Sequence, residues 1–200
     1  MDKQFDGGFT GPLVLASGSP RRRRLLAELG VEFRTVVPQI DEQSITGPSP
    51  QGMARERARR KAEVVAETLN QGLVIGADTI VVCEGRVLGK PRDAADARRL
   101  LALLSGRAHR VITGVCVWDA GARRYAVAHE ETEVVFCRLE PEEIERYVAT
   151  GEPMDKAGAY GIQGRGALLV ERICGDYFNV VGLPLVLLAR LLKDFGLRLL

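Results

Sequence analysis

Histidine is nearly missing from this 200-residue chain, which holds only His109 and His129. Four cysteines occur, Cys83, Cys116, Cys137 and Cys174, and no two of them form a Cys-x-x-Cys pair. These shortages argue against a zinc site and leave little room for a Ser-His-Asp triad. Each cysteine lies in or beside an apolar, strand-like segment and reads as a small buried hydrophobe of a reducing compartment. No apolar run approaches the roughly 20 residues that cross a bilayer. The opening residues lack the charged start and apolar stretch of a secretory signal. A cytoplasmic protein with no membrane partner is expected. Net charge is only +2, which gives bulk electrostatics no hold on nucleic acid, so any anion must be recognised by local clustering. There is no internal repeat and no low-complexity tract.

What is present is the balance of a globular α/β protein, 46% apolar and 27% charged. Residues 1–12 read as a flexible leader and residues 13–200 as one domain. A short buried strand is expected at Leu13–Ala16. A helix follows, capped by Ser19, opened by Pro20 and stopped by Gly30. A weak strand is expected over Val31–Val37, a loop over Pro38–Gly52 and a charged helix over Met53–Leu69. Leu73–Val82 is the most strand-like run, interrupted at Gly76-Ala77-Asp78-Thr79, and Glu84-Gly85 turns it into Arg86–Leu88. Asp93 caps a helix to Leu104. Strands His109–Trp118 and Tyr125–Leu139 flank a turn at Ala120-Gly121. Glu140-Pro141 opens a helix closed by Gly151, and Met154–Gly166 is glycine-rich. Strands over Ala167–Ile173 and Phe178–Val181 and a helix over Leu183–Phe195 complete the chain. Antiparallel hairpins among alternating strands and helices predict a mixed, twisted sheet flanked by helices.

Arg21, Arg22, Arg23 and Arg24 fill the first turn of the helix at Ser19-Pro20. A helix start carries about half a positive charge, so each cation there is unfavourable by about 0.3–1 kcal/mol. A bound anion resolves the conflict for Arg21 and Arg22. Free backbone N–H groups, the hydroxyls of Ser17 and Ser19 and a forked guanidinium would converge on phosphate oxygens. Arg23 and Arg24 read instead as a solvated face.

Asp78 interrupts the apolar run Val74-Ile75 to Ile80-Val81-Val82. A buried, unpaired carboxylate costs several kcal/mol, so it needs a partner. Three readings stay open: an ion pair with a buried Lys or Arg, a strand end facing a cleft, or a metal ligand or general base. Gly76 suggests close approach by a ligand or a bulge. Without histidine, a divalent ion would rest on oxygens of Asp78, Glu42 or Asp155, a set suited to magnesium or manganese. Glu42 reads equally well as a solvated loop residue, and Lys61 as a surface lysine. The string from Gly85 to Lys90 lacks the spacing and the hydroxyl residue of a P-loop, and Gly161–Gly166 lacks the order of a dinucleotide fingerprint.

Several strings together carry a family resemblance. They are Leu15-Ala16-Ser17-Gly18-Ser19-Pro20-Arg21-Arg22, Gly76-Ala77-Asp78-Thr79, Gly89-Lys90-Pro91-Arg92-Asp93, Ser105-Gly106-Arg107, the run from Gly151 to Gly164, and Val180-Val181-Gly182-Leu183-Pro184. From about Pro12 onward the chain resembles the Maf family of nucleoside triphosphate pyrophosphatases. That resemblance implies a fold like that of the inosine triphosphate pyrophosphatases, with two lobes around a cleft. It implies cleavage between the α and β phosphates with a divalent cation, and the strings are similar to those of the branch acting on dTTP and UTP. Asp78 matches the family's proton acceptor, and Arg21, Thr79 and Gln163 match positions tied to base preference. A homodimer is also implied.

On that reading Ser17, Ser19, Arg21, Arg22, Lys61, Lys90 and Lys156 bind phosphate. Asp78, Glu42 and Asp155 hold the metal, and Asp78 takes a proton from water. Gln163 offers a donor and an acceptor to a pyrimidine edge. The alternative is a nucleotide-binding regulator of cell division that does not turn its ligand over. A carboxylate beside the phosphates favours the enzyme, because a plain phosphate binder gains nothing from added negative charge.

Overall fold

A computed structural model describes Phe9 and residues 11–200, so most of the expected leader (residues 1–8 and Thr10) lies outside the described residues. Among the described residues, seven strands form one mixed sheet, β1 (Leu13–Ala16), β2 (Arg34–Val36), β3 (Leu73–Cys83), β4 (Arg86–Leu88), β5 (Ala108–Asp119), β6 (Arg124–Phe136) and β7 (Val170–Cys174). Their order is β2-β1-β3-β5-β6-β7, with β4 also paired to β3. β1 runs parallel to β2 and to β3, and the register sets Ala16 beside Gly76. β4 is antiparallel to β3 and β7 to β6. The helices are α1 (Pro20–Glu28), α2 (Pro50–Ala66), α3 (Ala94–Leu104), α4 (Pro141–Val148), α5 (Tyr177–Val181) and α6 (Leu185–Asp194). No helix among the described residues is long and apolar enough to cross a membrane.

Local chemistry explains the helix starts. The Ser19 hydroxyl accepts from the Arg22 N–H at 3.5 Å and Pro20 supplies the first helical residue. Asp93 accepts from the Asp96 N–H at 2.7 Å. Glu140 and Glu143 form a reciprocal capping box. Ser49-Pro50 repeats the Ser19-Pro20 device, its hydroxyl accepting from Gly52 N at 3.1 Å. The second helix therefore begins at Pro50 and ends at Ala66, earlier at both ends than the expected Met53–Leu69.

Three further expectations are corrected. β3 runs unbroken through Gly76–Thr79. Phe178–Val181 is helical, because the Asp176 carboxylate accepts from the Phe178 N–H at 2.7 Å and turns the chain. The strand expected from Ala167 starts only at Val170, after a 3-10 turn over Gly164–Leu169. Among the cysteines, Cys83 and Cys116 are buried as expected, whereas Cys137 is half-buried and Cys174 is exposed.

The chain divides into two compact units. The first comprises residues up to Asp78, Thr113–Glu130 and Gly182–Leu200; the second comprises Thr79–Ile112 and Glu131–Val181. In the first, α2 lies against the sheet through a face of small residues. Ala54, Ala58 and Ala62 are fully buried there, and the last two share a core with Val14, Val74 and Cys116. In the second, Leu101, Leu104, Val134, Phe136 and Tyr160 form the core. His109 is buried there as well, 2.7 Å from the Tyr160 hydroxyl and edge-on to the Phe136 ring.

Candidate active site

The start of α1 is built around Ser17, which is buried just past the end of β1. Its hydroxyl oxygen accepts from Ser19 N at 3.1 Å and from Arg22 Nη1 at 3.5 Å. Arg22 Nε donates to the Gly182 carbonyl at 2.7 Å. The Val-Val-Gly-Leu-Pro string thus fixes the guanidinium of an arginine far away in the chain. Burial lowers the Arg22 pKa, while the negative charges of Asp78 and Glu42 oppose that shift and Arg21 adds to it. Arg22 therefore feels both carboxylates of the expected site. Arg21 is half-buried, and Arg23 and Arg24 are exposed, as a solvated face requires.

Asp78 is 4% exposed in the middle of β3. Of the three readings left open, the ion pair is realised. Lys61, 5% exposed on α2, donates from Nζ to Asp78 Oδ1 at 2.6 Å and reaches Glu42 Oε1 at 2.9 Å. It is no surface lysine, and its ammonium is engaged by two carboxylates. Glu42, in a 3-10 turn over Glu42–Ser44, is drawn into the group as well. Arg57, four residues before Lys61 and so on the same helix face, brings Nη1 to 3.8 Å from Asp78 Oδ2. Its Nε donates to the Ile45 carbonyl at 3.2 Å, tying α2 to the loop that carries Glu42.

This assembly depends on how closely α2 seats on the sheet. A Cβ added to Gly76 would lie 2.2 Å from the Ala58 carbonyl oxygen, and one added to Gly114 would lie 2.2 Å from that of Ala54. Close approach at Gly76 is thus made by a helix backbone, not by a ligand or a bulge. Lys61 and Arg57 reach Asp78 because nothing larger than hydrogen separates the two elements.

Asp78 Oδ2 is buried and accepts no hydrogen bond. Together with the Glu42 carboxylate it offers the hard oxygen donors that magnesium or manganese prefers. Among the described residues no group of three or more His, Cys, Asp or Glu side chains could hold a metal ion. The fit is that of a partial shell, two protein carboxylates with the remaining positions left to water and phosphate oxygens. Asp155, in the second unit, is exposed and pairs with Lys156 Nζ at 2.5 Å.

The other predicted residues also belong to the second unit. Thr79 follows Asp78 along β3, so strand alternation sends its side chain to the opposite face. Lys90 is exposed in the connection from β4 to α3, where the Gly89 carbonyl accepts from Gly158 N at 3.0 Å. Lys156 folds back to donate to the Glu152 carbonyl at 2.5 Å. Gln163 is half-buried at the head of the 3-10 turn over Gly164–Leu169. Residues 161–166 around it are held by Glu152, whose carboxylate accepts from the N–H groups of Arg165 and Gly166, both at 3.2 Å. Sequence reasoning missed Arg57, Glu152 and Tyr147. Only the spacing of Arg57 from Lys61 carried a signal.

Similar proteins span nearly the whole chain. The dTTP/UTP pyrophosphatase of Moorella thermoacetica is 59% identical over 92% of this chain and 95% of its own length. Those of Pelotomaculum thermopropionicum and Symbiobacterium thermophilum are 53% and 52% identical, over 94% and 92% of this chain and 98% and 94% of their own. The structure of the Staphylococcus aureus Ham1 protein aligns at 18% identity with a TM-score of 0.46, over 64% of this chain and 72% of that one, a likeness too loose to bear on the fold. The sequence model of the Maf-like proteins matches residues 12–195, and the chain therefore belongs to the Maf-like protein family.

Proposed function

We propose that this chain is a cytoplasmic nucleoside triphosphate pyrophosphatase that hydrolyses dTTP and UTP to the monophosphate and pyrophosphate. The observation that carries the reading is Asp78, a buried carboxylate fixed by Lys61 through one oxygen while the other accepts no hydrogen bond. A buried acceptor left without a donor marks a place for a ligand or water, and relatives 59% and 53% identical over more than nine tenths of the chain are named for this reaction.

In the reaction, water attacks the α-phosphorus and charge moves onto the departing pyrophosphate, so positioning and cations do most of the work. Asp78 accepts the proton of the attacking water through Oδ2. Lys61 orients Asp78, and Glu42 holds Lys61 from its other side. Arg21 and Arg22 meet phosphate oxygens at the start of α1, Arg22 already aimed by the Ser17 hydroxyl and the Gly182 carbonyl. Lys90 and Lys156 are further cations for phosphate. Gln163 reads the pyrimidine edge, and Arg21 and Thr79 contribute to base preference. Asp78 and Glu42 would hold a magnesium or manganese ion, with water and phosphate oxygens at its other positions; Asp155, paired with Lys156, stays outside that shell. When bound, such an ion neutralises phosphate charge and acidifies the water.

The test is Asp78→Asn assayed with dTTP and UTP, with products separated. Wild-type protein is expected to yield monophosphate and pyrophosphate. The folded variant should lose at least about a hundredfold in kcat, within the range a positioned general base supplies. A folded variant with full turnover removes Asp78 as the base. Saturable binding with no product marks a regulator instead, and orthophosphate release marks a phosphatase.

A further inference from the structure

The run from Glu152 to Gly166 contains more internal bonding than a surface turn needs. Glu152 Oε1 accepts from the Tyr147 hydroxyl at 3.1 Å and from Gly166 N at 3.2 Å, and Oε2 accepts from Arg165 N at 3.2 Å. The Tyr147 oxygen in turn accepts from Gly161 N at 3.3 Å. One tyrosine–glutamate pair therefore grips both ends of residues 161–166. Glu152 is itself fixed, its N–H donating to Thr150 Oγ1 at 3.1 Å and its carbonyl accepting from Lys156 Nζ at 2.5 Å. The turn is also closed sterically, since a Cβ on Gly166 would sit 2.1 Å from the Gly161 carbonyl oxygen. Gln163 lies inside this clamp.

We propose that Glu152, acting with Tyr147, is a positioning residue for base selection: its carboxylate holds residues 161–166 in the conformation that presents the Gln163 amide. This rests on the reading that Gln163 meets the base. An amide reads a base edge only if its plane and its donor and acceptor ends are set in advance. Glu152 and Tyr147 provide that setting without touching the nucleotide. A carboxylate suits this role, because backbone N–H groups bond more strongly to a charged acceptor than to a neutral one.

The experiment compares wild type, Glu152→Gln, Tyr147→Phe, Gln163→Ala and the Glu152→Gln/Gln163→Ala pair. Each is assayed for kcat and KM with dTTP, UTP and a purine triphosphate, and amide hydrogen exchange is followed over residues 161–166. In Glu152→Gln, KM for dTTP and UTP should rise roughly tenfold with kcat nearly unchanged, as for a lost ground-state contact. The preference over the purine should shrink, and exchange at Arg165 and Gly166 should quicken while β3 stays protected. Tyr147→Phe should act in the same direction and carries the test if Glu152→Gln does not fold. The double variant should be no less selective than Gln163→Ala alone. Altered selectivity in Gln163→Ala beside unaltered selectivity in Glu152→Gln and Tyr147→Phe overturns the proposal and leaves the reading of Gln163 standing. Unaltered selectivity in Gln163→Ala overturns that reading and the proposal together.

Discussion

Lys61 carries two acidic partners on one buried ammonium, so its loss affects three side chains together. Lys61→Ala would leave Asp78 buried beside Glu42 without the cation between them. Breaking a buried pair from one side costs about 3–5 kcal/mol. The expected outcome is a fall of that size in the free energy of urea unfolding. His109 supplies a second prediction at this scale. Burial pushes its pKa down to about 4, against a smaller opposing backbone hydrogen bond at Arg107. The folded state therefore binds a proton less readily than the unfolded chain, whose imidazole titrates near 6.5. Stability from this group is whole above pH 6.5 and is lost as the pH falls toward 4, by on the order of 3 kcal/mol. Chemical denaturation at a series of pH values should show the decline, and His109→Phe should flatten it.

Among the elements, the seat of α2 on β3 decides whether the site exists. In Gly76→Ala the new methyl would lie 2.2 Å from the Ala58 carbonyl, and only a shift of the helix relieves that clash. A loss of about 3 kcal/mol or more is expected, and the surviving folded protein should lose activity as Lys61 and Arg57 draw away from Asp78. Thermal melts and assays on one preparation check both. The same glycine shows what sequence can and cannot reveal. Gly76 announces close approach, but the sequence does not say whose backbone approaches, since α2 and β3 meet only in the folded chain. Caps made within three residues were legible at Ser19, Asp93 and Glu140. Ser49-Pro50 was equally legible, yet the prolines around it read as loop. The four residues at 178–181, three of them apolar, are too few to show a period, so Asp176 decided their geometry. Asp78 could be singled out because a carboxylate in an apolar strand breaks a local rule. Glu42 and Lys61 could be named as site residues, but the ion pairs joining them to Asp78 could not, because the three come from a turn, a helix and a strand. Glu152 was hidden because its chemistry is backbone bonding, which leaves no pattern in residue types.

At the scale of the whole molecule, the chain passes between the two units after Asp78, Ile112, Glu130 and Val181, and the first of these passages falls inside β3. Neither unit is a continuous stretch, and three long strands contribute residues to both. We expect one cooperative transition in calorimetry, with calorimetric and van't Hoff enthalpies equal and with Trp118 fluorescence following the same curve. Two resolved transitions would mean that the units melt separately. The interleaving also bears on ancestry. A half whose chain enters and leaves so often cannot be excised as a cassette, duplicated or lent to another gene by a single recombination. Such a protein is expected to diverge by point changes and by loop insertions, so that Asp78 in the first unit and Gln163 in the second pass on together.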